Sequence, residues 1–112
     1  MQQVRVQDLP ALIASFGTGV HPIVLDVREP WEVQAASLAL DGAPTRCIPM
    51  NEVPGRLAEL DPAQPVLSLC HHGMRSLQVA NYLMQSGFTE VVNLQGGIDA
   101  WSQQVDRSVP LY

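Results

Sequence analysis

Val66-Leu67-Ser68-Leu69 is an apolar run broken by one hydroxyl, and a short loop separates it from Ser76 to Ser86, where Ala80, Leu83 and Met84 form a helical stripe ahead of Gly87. A strand with apolar residues on successive positions needs a core on both of its faces. When such a strand feeds a helix, the pair is the repeating half of a parallel α/β sheet. This segment therefore sets the fold class, and the rest of the chain has to agree with it.

It does agree along its length. Gln3 to Val6 reads as a short strand, Asp8 as an N-cap, and Leu9, Leu12, Ile13 and Phe16 as a helix that Gly17 and Gly19 end. Ile23-Val24-Leu25 closes on Asp26-Val27-Arg28 as a second buried strand, and Pro30 suits the first turn of a helix expected to run through Leu38. Asp41-Gly42-Ala43-Pro44 reads as a loop and Arg46 to Pro49 as a third strand. Asn51 then caps an expected helix bearing Val53, Leu57 and Leu60, although Pro54 and Gly55 weaken its first turn. Pro65 to Cys70 is the fourth strand, Glu90 to Leu94 the fifth, and Ile98 to Val105 a closing helix after Gly96-Gly97. The reading is α/β, with a five-stranded, mostly parallel sheet in a single domain over residues 1–112.

Composition narrows the partners. The net charge is −5, and all six basic residues are Arg, which argues against tracking a phosphate backbone. No apolar run approaches membrane-spanning length, and the first residues are too polar for a signal segment, so a soluble cytoplasmic protein that binds neither nucleic acid nor membrane is expected. Cys47 and Cys70 lack the spacing of a redox pair and the density of a disulfide scaffold.

Parallel sheets bind ligands beyond the carboxyl ends of their strands. Cys70 lies at such an end, and Asp26, Arg28, Pro49, Met50 and Gln95 share its rim. The segment Cys70-His71-His72-Gly73-Met74-Arg75-Ser76 places a thiol at a helix N-terminus, with an Arg in the same loop and Gly73 in its middle. Helix-start amides and a guanidinium both favour a thiolate, and the loop amides can form a nest around a sulfur anion.

The C-x4-R loop CHHGMRS resembles the active-site loop of the rhodanese family. Asp26-Val27-Arg28 with Glu32 is similar to that family's DVR-x3-E segment, Ile48-Pro49 to its IP element, and Gly96-Gly97-Ile98-Asp99-Ala100-Trp101 to its GG-x2-AW close. These elements keep the family's order over nearly the whole chain. The resemblance implies helices on both faces of the sheet and sulfur transfer through a persulfide on Cys70. His71, His72, Gly73, Met74, Arg75 and Ser76 would form the substrate loop, and Arg75 would hold it and help position an anionic donor such as thiosulfate. The acceptor would be cyanide, a thiol or a protein. The sequence departs from the family between Ala36 and Arg46, where the histidine-bearing segment that usually follows the second strand's helix has no match.

Competing readings stand beside this one. A relay module would exchange persulfide with protein donors and acceptors and use little thiosulfate. Cysteine phosphatases and arsenate reductases of similar architecture use C-x5-R, a larger ring suited to a tetrahedral oxyanion, which ranks them below sulfur transfer. Adjacent His71 and His72 do not converge on one ion, so no metal is expected, and Gly96-Gly97 is too short for a dinucleotide fingerprint, so no cofactor is expected either. Cys47 is read as a buried structural residue, Arg28 and Glu32 as an ion pair bracing the rim, and Trp101 and Phe88 as core.

Overall fold

The computed structural model describes residues 2–112. Five strands, β1 (Gln2–Arg5), β2 (Ile23–Asp26), β3 (Thr45–Cys47), β4 (Val66–Leu69) and β5 (Val91–Gln95), form one sheet in the order β1-β5-β4-β2-β3. Every pairing is parallel. The helices are α1 (Leu9–Ser15), α2 (Pro30–Ala35), α3 (Met74–Gln85) and α4 (Gly97–Gln104).

Strand alternation divides the core in two. Val4, Val24, Leu67, Leu69, Val92 and Leu94 point to one face, where they meet Leu9, Ile98 and Trp101. Ile23, Leu25, Val66 and Val91 point to the other, against Val79, Ala80, Leu83 and Phe88. Period-2 side-chain alternation in strands covered on both sides accounts for the continuous apolar runs. Cys70 belongs to the second face, beneath the start of α3.

Several expectations are corrected. The second helix stops at Ala35 rather than Leu38: Ala36 is extended (φ −158°, ψ 135°), its carbonyl accepts from Arg28 Nη2 at 2.8 Å, and Ala36 and Leu38 are buried. A buried guanidinium that captures the carbonyl competes successfully with another helical turn. The segment after Asn51 forms two 3₁₀ pieces, Met50–Glu52 and Pro54–Glu59, in place of an α-helix. Pro54 has no N–H to give an α-helical ladder, and Arg56 departs from helical geometry (φ −119°, ψ 15°). Cys47 is exposed, because β3 is an edge strand and burial begins only at Ile48. On α3 the buried stripe is Ser76, Val79, Ala80 and Leu83, which leaves Met84 exposed one position around the helix.

The segment that departs from the family turns tightly at Asp41-Gly42, bracketed by a bridge between Leu40 and Ala43. The Gly42 turn lies against Ile13 of α1, whereas Ala36 at the start of the segment binds Arg28. Among the described residues, no helix is long and apolar enough to cross a membrane.

Candidate active site

The thiol of Cys70 sits just beyond β4, and Gly73 turns the chain from that strand into α3. Gly73 has φ +99°, a left-handed conformation open to glycine at little cost. The turn points the Gly73 amide at the sulfur, 3.0 Å from Sγ, while the Ser76 hydroxyl reaches the same atom at 3.2 Å from the first turn of α3. Cys70 is 1% exposed. One loop amide and one hydroxyl thus meet the sulfur, where a fuller nest of amides was expected. The amides of His72, Met74, Arg75 and Ser76 donate to no backbone carbonyl among the described residues, as befits a helix start.

The carbonyl side of the loop is held from behind. Ile98 N–H donates to the Cys70 carbonyl at 2.9 Å and Asp99 N–H to the His71 carbonyl at 3.1 Å, so the first turn of α4 spends its free donors on the loop. Asn93 Nδ2 adds a bond of 3.2 Å to the Gly73 carbonyl. Carbonyls tied to α4 and β5 fix the orientation of the peptides on either side of the Gly73 amide that meets the thiol. Gly97 makes this approach possible, because a Cβ there would overlap the Cys70 and His71 carbonyl oxygens. Sequence reasoning took Gly96-Gly97 for a turn and gave Asn93 no role. A lone amide in the otherwise apolar Val91-Val92-Asn93-Leu94 was the available signal.

A charged network braces the rim, with partners other than those expected. Arg28, 1% exposed, gives Nε and Nη2 to the two oxygens of Asp26 at 2.9 and 2.8 Å. Its remaining N–H groups go to the carbonyls of Glu32 and Ala36 and to the Tyr112 hydroxyl. All five donors of this guanidinium are satisfied. Burial opposes its charge, but the Asp26 and Tyr112 bonds outweigh that cost and hold its pKa above the usual guanidinium value. The Glu32 side chain does not pair with Arg28. It takes both terminal nitrogens of Arg75, each at 2.7 Å, together with the Glu29 amide at 2.8 Å and the Tyr112 hydroxyl at 3.0 Å. Arg75, foremost, holds the Glu32 carboxyl at about 2 against the burial that would raise it. Arg75 therefore clamps its loop to α2, and its charge is matched by a carboxylate.

Aromatic rings continue this network across the rim. The His71 ring stacks on Tyr112 with centroids 3.9 Å apart and planes 10° from parallel, and His72 packs on the His71 ring at 3.9 Å. Burial, then the neighbouring His72 charge, lowers the His71 pKa. Tyr112 also received no role from the sequence. His71, His72 and Asp99 bring one ligand atom each within 4.8 Å of one another, although adjacency in sequence offered no reason for the two histidines to converge; their imidazole planes are tilted by 30°. Met74 is 68% and Trp31 65% exposed, next in sequence to Arg75 and Glu32 respectively. Cys47 stands apart on the edge strand, where local burial and then the Asp26 carboxylate push its thiol pKa up.

The family described as "Rhodanese-like domain" matches residues 8–104. The chain is 40% identical over 93 residues, 80% of its length, to the rhodanese-like/PpiC domain-containing protein 12, chloroplastic, of Arabidopsis thaliana, and spans 30% of that relative. It is 33% identical over 93 residues to the thiosulfate sulfurtransferase GlpE of Pseudoalteromonas translucida, covering 76% of this chain and 81% of that one. Among solved structures, a rhodanese-related protein from Thermoplasma volcanium superposes with a TM-score of 0.77 at 28% identity, covering 100% of both chains.

Proposed function

Because this chain belongs to the rhodanese-like domain family, we propose that it is a sulfurtransferase that carries sulfane sulfur as a persulfide on Cys70. The observation that carries this reading is the donor pair on the sulfur, the Gly73 amide at 3.0 Å and the Ser76 hydroxyl at 3.2 Å. Hydrogen-bond donors aimed at a site of developing negative charge stabilise it without reorganisation. The uncommitted amides at the start of α3 offer the same to a second, terminal sulfur.

In the first half-reaction the Cys70 thiolate attacks the outer sulfur of thiosulfate. A sulfur–sulfur bond forms to Cys70, the bond inside the donor breaks, and sulfite leaves with its electron pair. In the second, cyanide or an acceptor thiolate attacks the terminal sulfur, and the Cys70 thiolate departs with the electron pair of the broken bond. Neither step needs a metal, a redox cofactor or a protein acid. The four-residue spacing from Cys70 to Arg75 makes a tight ring suited to one sulfur atom, and this disfavours phosphoryl or arsenate chemistry.

Intact mass tests the proposal. Thiosulfate should add one sulfur atom, and cyanide should remove it as thiocyanate. Cys47→Ser should behave as the parent protein does, and Cys70→Ser should show neither event. Failure of the parent protein to gain sulfur from thiosulfate and from a persulfidated protein alike would sink the idea.

One observation favours the relay form of this activity, in which the donor or acceptor is a protein. Arg28 and Arg75, the guanidinium groups of the rim, are both engaged by carboxylates, so a doubly charged small donor meets no unpaired cation of that kind. Exposed Trp31 and Met74 flank the same ion pair and offer apolar contact to a larger partner. Saturation by thiosulfate only at very high concentration, with fast transfer from a persulfidated protein, would favour the relay. Efficient use of dilute thiosulfate would exclude it.

A further inference from the structure

Seven residues beyond α4 lead Tyr112 back to the rim by a well-anchored path. Val105 and Asp106 amides both donate to the Trp101 carbonyl, Val109 N–H donates to Asp106, and the Ser102 hydroxyl bonds the Val109 carbonyl. Val109 itself is buried in the core. This path delivers one side chain to both ends of the cysteine loop. At the near end, the Tyr112 ring lies parallel to His71, the residue after the nucleophile, while Trp31 meets the same ring edge-on at 6.0 Å. At the far end, the hydroxyl accepts from Arg28 at 2.9 Å and donates at 3.0 Å to Glu32 Oε1, the oxygen that also accepts from Arg75 Nη2. Among the hydrogen bonds and ring contacts of the described residues, Tyr112 alone joins His71 to the Glu32 carboxylate that holds Arg75.

We propose that Tyr112 is a positioning residue for sulfur transfer, with its ring fixing His71 and its hydroxyl steadying the Glu32–Arg75 clamp, so that the loop keeps the Gly73 and Ser76 donors on the sulfur. The inference rests on the sulfurtransferase reading but reaches beyond the residues that reading uses. Tyr112 acts through the loop and not on the donor, so its loss lowers the rate at saturating donor and leaves the half-saturating concentration nearly unchanged. Small displacements of a reacting group cost large factors in rate, which makes a loosened loop measurable.

The test compares Tyr112→Phe, which keeps the ring and loses the hydroxyl, with Tyr112→Leu, which loses both. Leu60→Ala, in the same core cluster as Cys70 but on the segment that leads into β4 and not on the loop that leaves it, supplies the control for a general loss of thermal stability. The Tyr112 contribution to the upfield ring-current shift of the His71 ring protons, over that of His72 on the same ring, reports the stack. Tyr112→Phe should keep that shift and slow persulfide loading at saturating donor about threefold, whereas Tyr112→Leu should lose it and slow loading about tenfold. The half-saturating donor concentration should move less than about twofold in both, and Leu60→Ala should load at the parent rate. Loading at the parent rate in Tyr112→Leu, or an equal loss in Leu60→Ala, would overturn the proposal. If the parent protein takes up no sulfur, the sulfurtransferase reading is what has failed. The alkylation rate of Cys70 by iodoacetamide, which needs no sulfur donor, then carries the same comparison: the same ranking supports the clamp and equal rates reject it.

Discussion

Arg75 and Glu32 meet end to end, each terminal guanidinium nitrogen 2.7 Å from a different carboxylate oxygen. This contact joins the first turn of α3, into which the cysteine loop runs, to the first turn of α2 across 43 residues of sequence. Bidentate pairs of this kind fix direction as well as distance, so the loop's exit is tied to the rest of the rim.

The pair sets an acid limit on stability. The Glu32 carboxyl is lowered from 4.5 to about 2 in the folded protein, so its contribution is complete above about pH 4.5 and is lost as the pH falls toward 2. Glu32→Gln should therefore lower stability at pH 7 by on the order of 2 kcal/mol, allowing for the solvent that reaches Arg75. Urea unfolding at pH 7, 4 and 2.5 should show the gap between parent and variant closing at the lowest pH. A constant gap would mean that shape, and not charge, was lost.

Gly97→Ala should damage the loop more than the fold. Its Cβ would run into the carbonyls of Cys70 and His71, and Gly97 holds φ +63°, a conformation strained for alanine. A destabilisation of about 2–3 kcal/mol is expected from the combination. Cys70 should lose most of its persulfide loading even where the variant is fully folded by circular dichroism.

Arg28 separates structure from chemistry. Arg28→Leu leaves Asp26 buried without its partner, for an expected loss of about 3–5 kcal/mol. Asp26→Leu combined with Arg28→Leu removes both charges and should be markedly more stable than the single change. A thermal melt of the three proteins decides it, and a double variant no better than the single one would place the cost in the lost bonds to Ala36, Glu32 and Tyr112.

Ser76→Ala tests the hydroxyl on the sulfur. The change removes one of the two donors that reach Cys70 Sγ but leaves the Ser76 carbonyl, which accepts from Ser68, in place. Persulfide loading should slow about tenfold with stability changed by about 1 kcal/mol. Loading at the parent rate would assign the anion to backbone donors alone.

The strand runs and the helix beginning near Ser76 were legible because burial on both faces and helical spacing are local patterns of residue type. Cys70 was legible for the same reason: strand end, glycine turn and helix start follow one another within a few residues. The helix expected after Asn51 was misjudged where local signals conflicted, with apolar spacing on one side and Pro54 and Gly55 on the other; the proline's missing donor prevailed. Cys47 was misjudged because edge position belongs to the order of strands and not to any one strand.

By itself the sequence determined a parallel α/β fold, the thiol at the end of its fourth strand, and the glycine that lets the next helix begin there. All of these follow from short-range sterics and hydrophobic periodicity, which neighbouring residues specify together. Only the tertiary structure decided that Glu32 takes Arg75 and leaves Arg28 to Asp26, that α4 holds the loop carbonyls through a Cβ-free approach at Gly97, and that Tyr112 joins His71 to the ion pair. Those choices depend on which elements become neighbours once the chain closes on its core, where a buried charge goes to the partner that packing brings within reach.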